Sequence, residues 1–102
     1  MAKRVDANQS AIVAALRQCG ATVAITSSLG EGFVDIVVGY GGRNYLVEIK
    51  DGSQPESAQK LTPDEAKFHE KWRGQVAIIR SVQEAINFLN TSTKVKRKEF
   101  EQ

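Results

Sequence analysis

Gly41-Gly42, set between two runs rich in Val, Ile, Leu and Tyr, constrains this chain more than any other pair of residues. A two-residue hairpin loop of type I′ needs positive φ at both central positions, which glycine adopts without strain. The stretch GFVDIVVGYGGRNYLVEIKDG (32–52) therefore reads as two antiparallel strands in a fixed register. Tyr40 faces Arg43, Val38 faces Tyr45, Ile36 faces Val47, and Asp35 lands opposite Glu48. Side chains alternate along a strand, so Val34, Ile36, Val38, Tyr45, Val47 and Ile49 share one wholly apolar face. The other face carries Val37 and Leu46 near the turn and Asp35, Glu48 and Lys50 at the open end.

Opposed carboxylates in a half-buried sheet repel each other, so positive charge is expected between them. Lys50, two residues beyond Glu48, returns to the same face and supplies part of it. A hard divalent cation could supply the rest, since magnesium takes carboxylate oxygens at roughly 2.0–2.1 Å and a cross-strand pair can offer them.

The chain is long enough for one core and not for two: 102 residues, of which 41% are hydrophobic and 25% charged. No apolar run approaches the roughly 20 residues of a membrane span, and MAKRVDANQ lacks the apolar centre of a signal peptide, so a cytoplasmic, non-membrane protein is expected. Cys19 is the single cysteine and His69 the single histidine, which argues against a disulfide or a zinc cluster and leaves oxygen as the donor for any metal.

Residues 6–19 have helical spacing, with Ile12, Val13, Leu16 and Cys19 on one stripe and Gly20 placed to end it. Projected backwards, the stripe aims Gln9 at the core. A strand is expected over 21–27. The segment DGSQPESAQK, starting immediately after Lys50, has the composition of a mobile loop and serves either as a substrate-contacting flap or as plain connection. TPDE is a capping box, Thr62 with Glu65, opening a helix on which Phe68 and Trp72 form an expected core stripe rather than a base-stacking platform, with His69 beside it. QVAIIR is a strand, and SVQE is a second capping box, Ser81 with Glu84, opening a helix with Val82, Ala85, Ile86 and Leu89 facing inwards. The expected order is α-β-β-β-α-β-α. The last segment, KVKRKEFEQ, has no apolar periodicity and reads either as a solvated tail or as a phosphate contact.

An Asp opening a hairpin, Glu-x-Lys in its second strand, a helix before and an α-β unit after resemble the PD-(D/E)xK nuclease superfamily. Within it, GFVDIVVGYGGRNYLVEIKDG followed by LTPDEAKFHEKWRG is similar to the phage and prophage virus-type replication-repair nucleases (VRR-NUC), relatives of Holliday junction resolvases. The likeness covers about residues 6–89. It implies an α/β fold with a restriction-endonuclease-like α-β-β-β-α-β core and a VRR-NUC-like domain over 1–90 with a C-terminal helix; the charge and lack of apolar periodicity beyond it make 91–102 an expected basic, disordered tail. It also implies catalysis by Asp35, Glu48 and Lys50. Asp35, Glu48 and the backbone carbonyl of Ile49 would bind Mg²⁺ or Mn²⁺, and Lys50 would orient or deprotonate the attacking water. Val34 stands where the family has its proline. The glutamate commonly supplied by the first helix corresponds to Gln9, with Asp6 one turn earlier as a supporting carboxylate.

The activity implied is metal-dependent endonucleolytic hydrolysis of branched DNA, such as a four-way junction, by a phage or prophage protein in a bacterial host. Alternatives are a catalytically silent DNA-binding module of the same fold, a nuclease for flaps or linear DNA, and a structural Asp35–Lys50–Glu48 ion triad. Candidate DNA contacts are Lys3, Arg4, Lys60, Lys94, Lys96, Arg97 and Lys98. A homodimer is expected from the small size, with Phe33, Leu29, Tyr40 and Tyr45 as interface candidates and Arg43 and Asn44 at its rim. Because none of Asp35, Glu48 and Lys50 fills an apolar core position, replacing them is expected to abolish cutting and spare the fold.

Overall fold

The computed structural model describes residues 6–101, with side chains described over 6–91. Three helices and a four-stranded mixed sheet follow in the expected order: α1 (Gln9–Gln18), β1 (Thr22–Ile25), β2 (Ile36–Tyr40), β3 (Arg43–Ile49), α2 (Pro63–Lys71), β4 (Val76–Ile79) and α3 (Val82–Glu101). A short 3-10 helix, Glu56–Gln59, lies between β3 and α2. Strand order in the sheet is β1-β2-β3-β4, with β1 and β2, and β2 and β3, antiparallel and β3 and β4 parallel.

The glycine pair sets the hairpin as its chemistry dictates. Gly41 and Gly42 have φ of 62° and 80°, and Tyr40 pairs with Arg43, Val38 with Tyr45 and Ile36 with Val47. The apolar face is buried along its length: Ile36, Val38, Tyr45, Val47 and Ile49 join Ile79 of β4 in one core. Ile12, Val13 and Leu16 of α1 and Ala85 and Leu89 of α3 cover that face, and the two helices touch each other.

Element ends depart from the periodicity where side chains have other partners. The first helix begins at Gln9 rather than at residue 6, because Asn8 at its N-cap spends its side chain on distant carbonyls instead of capping. At the other end Gly20, with φ of 98°, closes α1: its N–H donates to Arg17 O and the Ala21 N–H donates to Leu16 O, the two bonds of a Schellman motif. The first strand is shorter than 21–27, although Thr26 N–H still donates to Asp35 O at 2.8 Å.

Phe68 and Trp72 are not core. Among the described side chains of α2 only Glu65 is buried, while Phe68 is half-buried and Trp72 is 42% exposed. The two rings stack at 5.2 Å and 18°, with Phe33 edge-on to Phe68 at 5.3 Å. Their stripe is off the core because α2 meets the sheet at its ionic end and not over the apolar face. Val82 is likewise exposed, and the inward stripe of α3 runs through Ala85, Phe88 and Leu89. Helix α3 continues past residue 90, where the sequence places the start of a basic tail; the side chains of 92–101 lie outside the described residues. Among the described residues no helix is long and apolar enough to cross a membrane.

Candidate active site

The hairpin register carries Asp35, one residue before β2, and Glu48, near the end of β3, to facing positions. Both are buried, Asp35 at 3% exposure and Glu48 at 0%. Asp35 does more than face its neighbour: its Oδ2 accepts the Ile49 N–H at 2.7 Å, which pins the carboxylate against β3. The implied third protein ligand, the Ile49 carbonyl, belongs to the next peptide, whose Lys50 N–H donates to Ile79 O at 3.1 Å.

Lys50 follows at the end of β3, 8% exposed. Its Nζ donates to Glu65 Oε1 at 2.8 Å, a buried ion pair between β3 and α2. Glu65 Oε1 also accepts the Thr62 N–H at 2.9 Å, and Thr62 Oγ1 accepts the Glu65 N–H at 3.2 Å, which completes the expected capping box. One carboxylate therefore caps a helix and holds the site lysine. Loss of Lys50 would strand a buried carboxylate, which predicts a cost in stability besides the loss of charge.

Gln9 points inwards as its place on the stripe requires. It is 6% exposed, its Nε2 donates to Ser27 Oγ at 3.3 Å, and its Oε1 is buried with no hydrogen-bond partner among the described residues. Asp6 lies near the same cluster. Burial pushes its carboxyl above the ordinary value, the Lys50 ammonium pulls it back down, and Asp35, Asp51 and Glu65 raise it further.

Asn8 was invisible in the sequence and closes the base of the site. Its Nδ2 donates to Lys50 O at 3.1 Å and to Arg80 O at 3.0 Å, joining the ends of the parallel strands β3 and β4 to α1. These contacts span 42 and 72 residues, so no local pattern announces them.

The segment after Lys50 is folded back on itself. Asp51 Oδ1 accepts the Ser53 N–H and hydroxyl at 2.9 and 2.7 Å, which holds its carboxyl below the usual range, and Gln59 Nε2 donates to Gln54 O at 2.8 Å. Gly52 N–H donates to Arg80 O, and a Cβ at Gly52 would stand 3.0 Å from that same oxygen. An open hollow of about 600 Å³ lies here, lined in part by Asn8, Asp51, Ser53, Arg80 and Ser81.

Of the candidate DNA contacts, Lys60 is exposed and borders a second hollow with Glu56, Gln59 and Arg80. Lys3 and Arg4 lie outside the described residues. Lys94, Lys96, Arg97 and Lys98 are on α3, with side chains outside them. Of the interface candidates, Tyr45 is core and meets Phe88 edge-on at 4.9 Å, Tyr40 packs against the core, and Leu29 is exposed.

The donors here suit a hard cation: two carboxylates, a backbone carbonyl and an amide oxygen are all oxygen ligands. The buried, unpartnered Gln9 Oε1 fits such a set. Among the described residues no group of three or more His, Cys, Asp and Glu could hold a metal ion, and position 9 carries an amide rather than a carboxylate. Comparisons with family models, with curated proteins and with solved structures find no match for this chain.

Proposed function

We propose that the protein is a metal-dependent DNA endonuclease with a PD-(D/E)xK-type site, acting on branched DNA. The observation that carries the reading is the buried, face-to-face placement of Asp35 and Glu48 at the open end of a hairpin, with Lys50 next on the same strand. Two buried carboxylates and a lysine contribute little to stability relative to apolar side chains, and such constellations concentrate where chemistry needs them.

Asp35, Glu48 and the Ile49 carbonyl would hold Mg²⁺ or Mn²⁺, with Gln9 Oε1 in support. When bound, the cation supplies Lewis-acid charge and a more acidic water. Asp35 is held to its place by the Ile49 amide, so the carboxylate needs little reorganisation on binding. Lys50 carries the positive charge that would meet the phosphoryl group. No zinc module or recognition helix is apparent in the sequence, so reading of base edges is not part of the proposal, and shape and phosphate position select the substrate.

Gln9 favours the second reading, a catalytically silent DNA-binding module, because it withholds one carboxylate from the site. The two separate on a panel of equal-length linear duplex, flap, fork and four-way junction, incubated with Mg²⁺, Mn²⁺ or EDTA. The enzyme cuts branched substrates only with metal, whereas a silent module binds in EDTA and cuts nothing. Preference for linear duplex with a fixed recognition sequence would refute the choice of substrate. A homodimer is part of the proposal, and exposed Leu29 and half-buried Phe33 are its remaining apolar candidates. Sedimentation should give about twice the monomer mass, consistent with two-fold pairing as the commonest assembly.

A further inference from the structure

The sequence offers two capping-box patterns, and their carboxylates are used differently: Glu65 reaches the N–H of its own N-cap, Thr62, whereas Glu84 reaches past Ser81. Glu84 of α3 is exposed, and its Oε1 accepts the Arg80 N–H at 2.8 Å. Glu65 of α2 is 3% exposed and adds the Lys50 ammonium to its backbone bond. Capping alone needs neither the burial nor the charge, since Glu and Gln serve equally at that position of the box. A buried carboxylate is unfavourable without a cation, and Glu65 is the buried residue through which the described part of α2 meets the sheet.

Lysine is a compact charge on a flexible stem. At the end of β3 it stands on the face that also carries Asp35 and Glu48, and an unrestrained ammonium would settle between those carboxylates, where a cation belongs. We propose that Glu65 is the positioning residue of Lys50: its negative charge holds the ammonium on the α2 side, keeps it ordered for the phosphoryl group, and leaves Asp35 and Glu48 to the metal. This rests on the nuclease reading for its catalytic consequence and on the 2.8 Å pair alone for the position of the lysine.

The test compares Glu65→Gln, which keeps the capping oxygen and removes the charge, with Glu65→Asp, which keeps the charge on a shorter reach. Glu84→Gln, at the start of α3, is the exposed control. Two readouts are taken: single-turnover cleavage of a four-way junction, and acetylation of Lys50 by acetic anhydride without metal, measured by mass spectrometry against exposed Lys67 in the same sample. Glu65→Gln should lower kcat about tenfold to a hundredfold, the range for a misplaced catalytic group. It should leave KM little changed and speed acetylation of Lys50 severalfold relative to Lys67. Glu65→Asp should retain more activity than Glu65→Gln, and Glu84→Gln should match wild type in both readouts. A capping role alone gives the opposite order, Gln above Asp, and that order overturns the proposal, as does Glu65→Gln with wild-type rate and wild-type labelling. A wild-type protein that fails to cut refutes the nuclease reading, and the Lys50 labelling ratio then decides the role of Glu65 without it. Should Glu65→Gln not fold, Glu65→Asp is compared with Thr62→Val, which weakens the cap and keeps the Lys50 pair: freer Lys50 and lower kcat in Glu65→Asp but not in Thr62→Val support the proposal, and equal changes in both, or none in Glu65→Asp, reject it.

Discussion

Removing the charge of Lys50 should destabilise the fold as well as stop the chemistry. The Lys50 and Glu65 side chains are 10% and 4% exposed and 2.8 Å apart. At an effective dielectric of about 20, two unit charges at that separation attract by about 6 kcal/mol, before the desolvation that both pay on burial. Breaking a buried pair by deleting one partner typically costs about 3–5 kcal/mol, because the survivor stays buried and uncompensated. Glu65 keeps the Thr62 N–H bond, which places Lys50→Met at the low end, about 3 kcal/mol. For a domain near 100 residues this lowers Tm by roughly 12–24 °C. Glu65→Gln retains the cap and should cost less, and the double variant Lys50→Met/Glu65→Gln should be markedly more stable than the two single losses summed. Urea unfolding followed by circular dichroism gives the coupling energy, expected to be about 2 kcal/mol for groups in direct contact. Additive single losses, with coupling near zero, would refute the claim that this pair ties α2 to the sheet.

Asn8→Ala should lower stability by about 1–3 kcal/mol in the same assay, since it leaves Lys50 O without the Asn8 donor and Arg80 O with the Gly52 N–H alone. Leu89→Ala, at a site 2% exposed, should cost about 2–5 kcal/mol, and a loss below 1 would mean that α3 is not seated on the sheet. Asp6 has a carboxyl pKa raised from 3.8, chiefly by burial, so the folded state holds its proton more tightly than the unfolded chain does. Its contribution to stability is therefore greatest below pH 3.8 and declines as pH rises through the raised value. Asp6→Asn should thus be more stable than wild type at pH 7 and indistinguishable near pH 3, as read from denaturation midpoints at both; the reverse order would contradict the sign.

The glycine pair made the hairpin legible because its backbone requirement is local, and the register it sets brings Asp35 to Glu48 across 13 residues of sequence without further information. The capping box at Thr62 was legible for the same reason; at Ser81 the hydroxyl accepts the Glu84 N–H as expected, but the Glu84 carboxylate takes the Arg80 N–H rather than that of Ser81. The partner of Lys50 was not. Glu65 already had a complete local explanation as a cap, and nothing in the spacing of 15 residues shows that its other side faces the end of β3. Asn8 was hidden by the helical periodicity that runs through it, although a polar residue at a helix start whose side chain does not cap is a cue to search for a distant partner. Phe68 and Trp72 misled because i, i+4 spacing identifies a shared helix face and not what covers it.

The central claim is that Asp35 and Glu48 hold a catalytic cation. Asp35→Asn tests it most directly, because the amide oxygen can still accept the Ile49 N–H and the substitution removes little but charge. Wild type and Asp35→Asn, purified side by side and matched in Tm, are incubated with a labelled four-way junction in Mn²⁺ and in EDTA. Wild type should cut in Mn²⁺ and not in EDTA, and Asp35→Asn should cut in neither. Equal cutting by both proteins, or no cutting by wild type in Mn²⁺ or Mg²⁺, would contradict it.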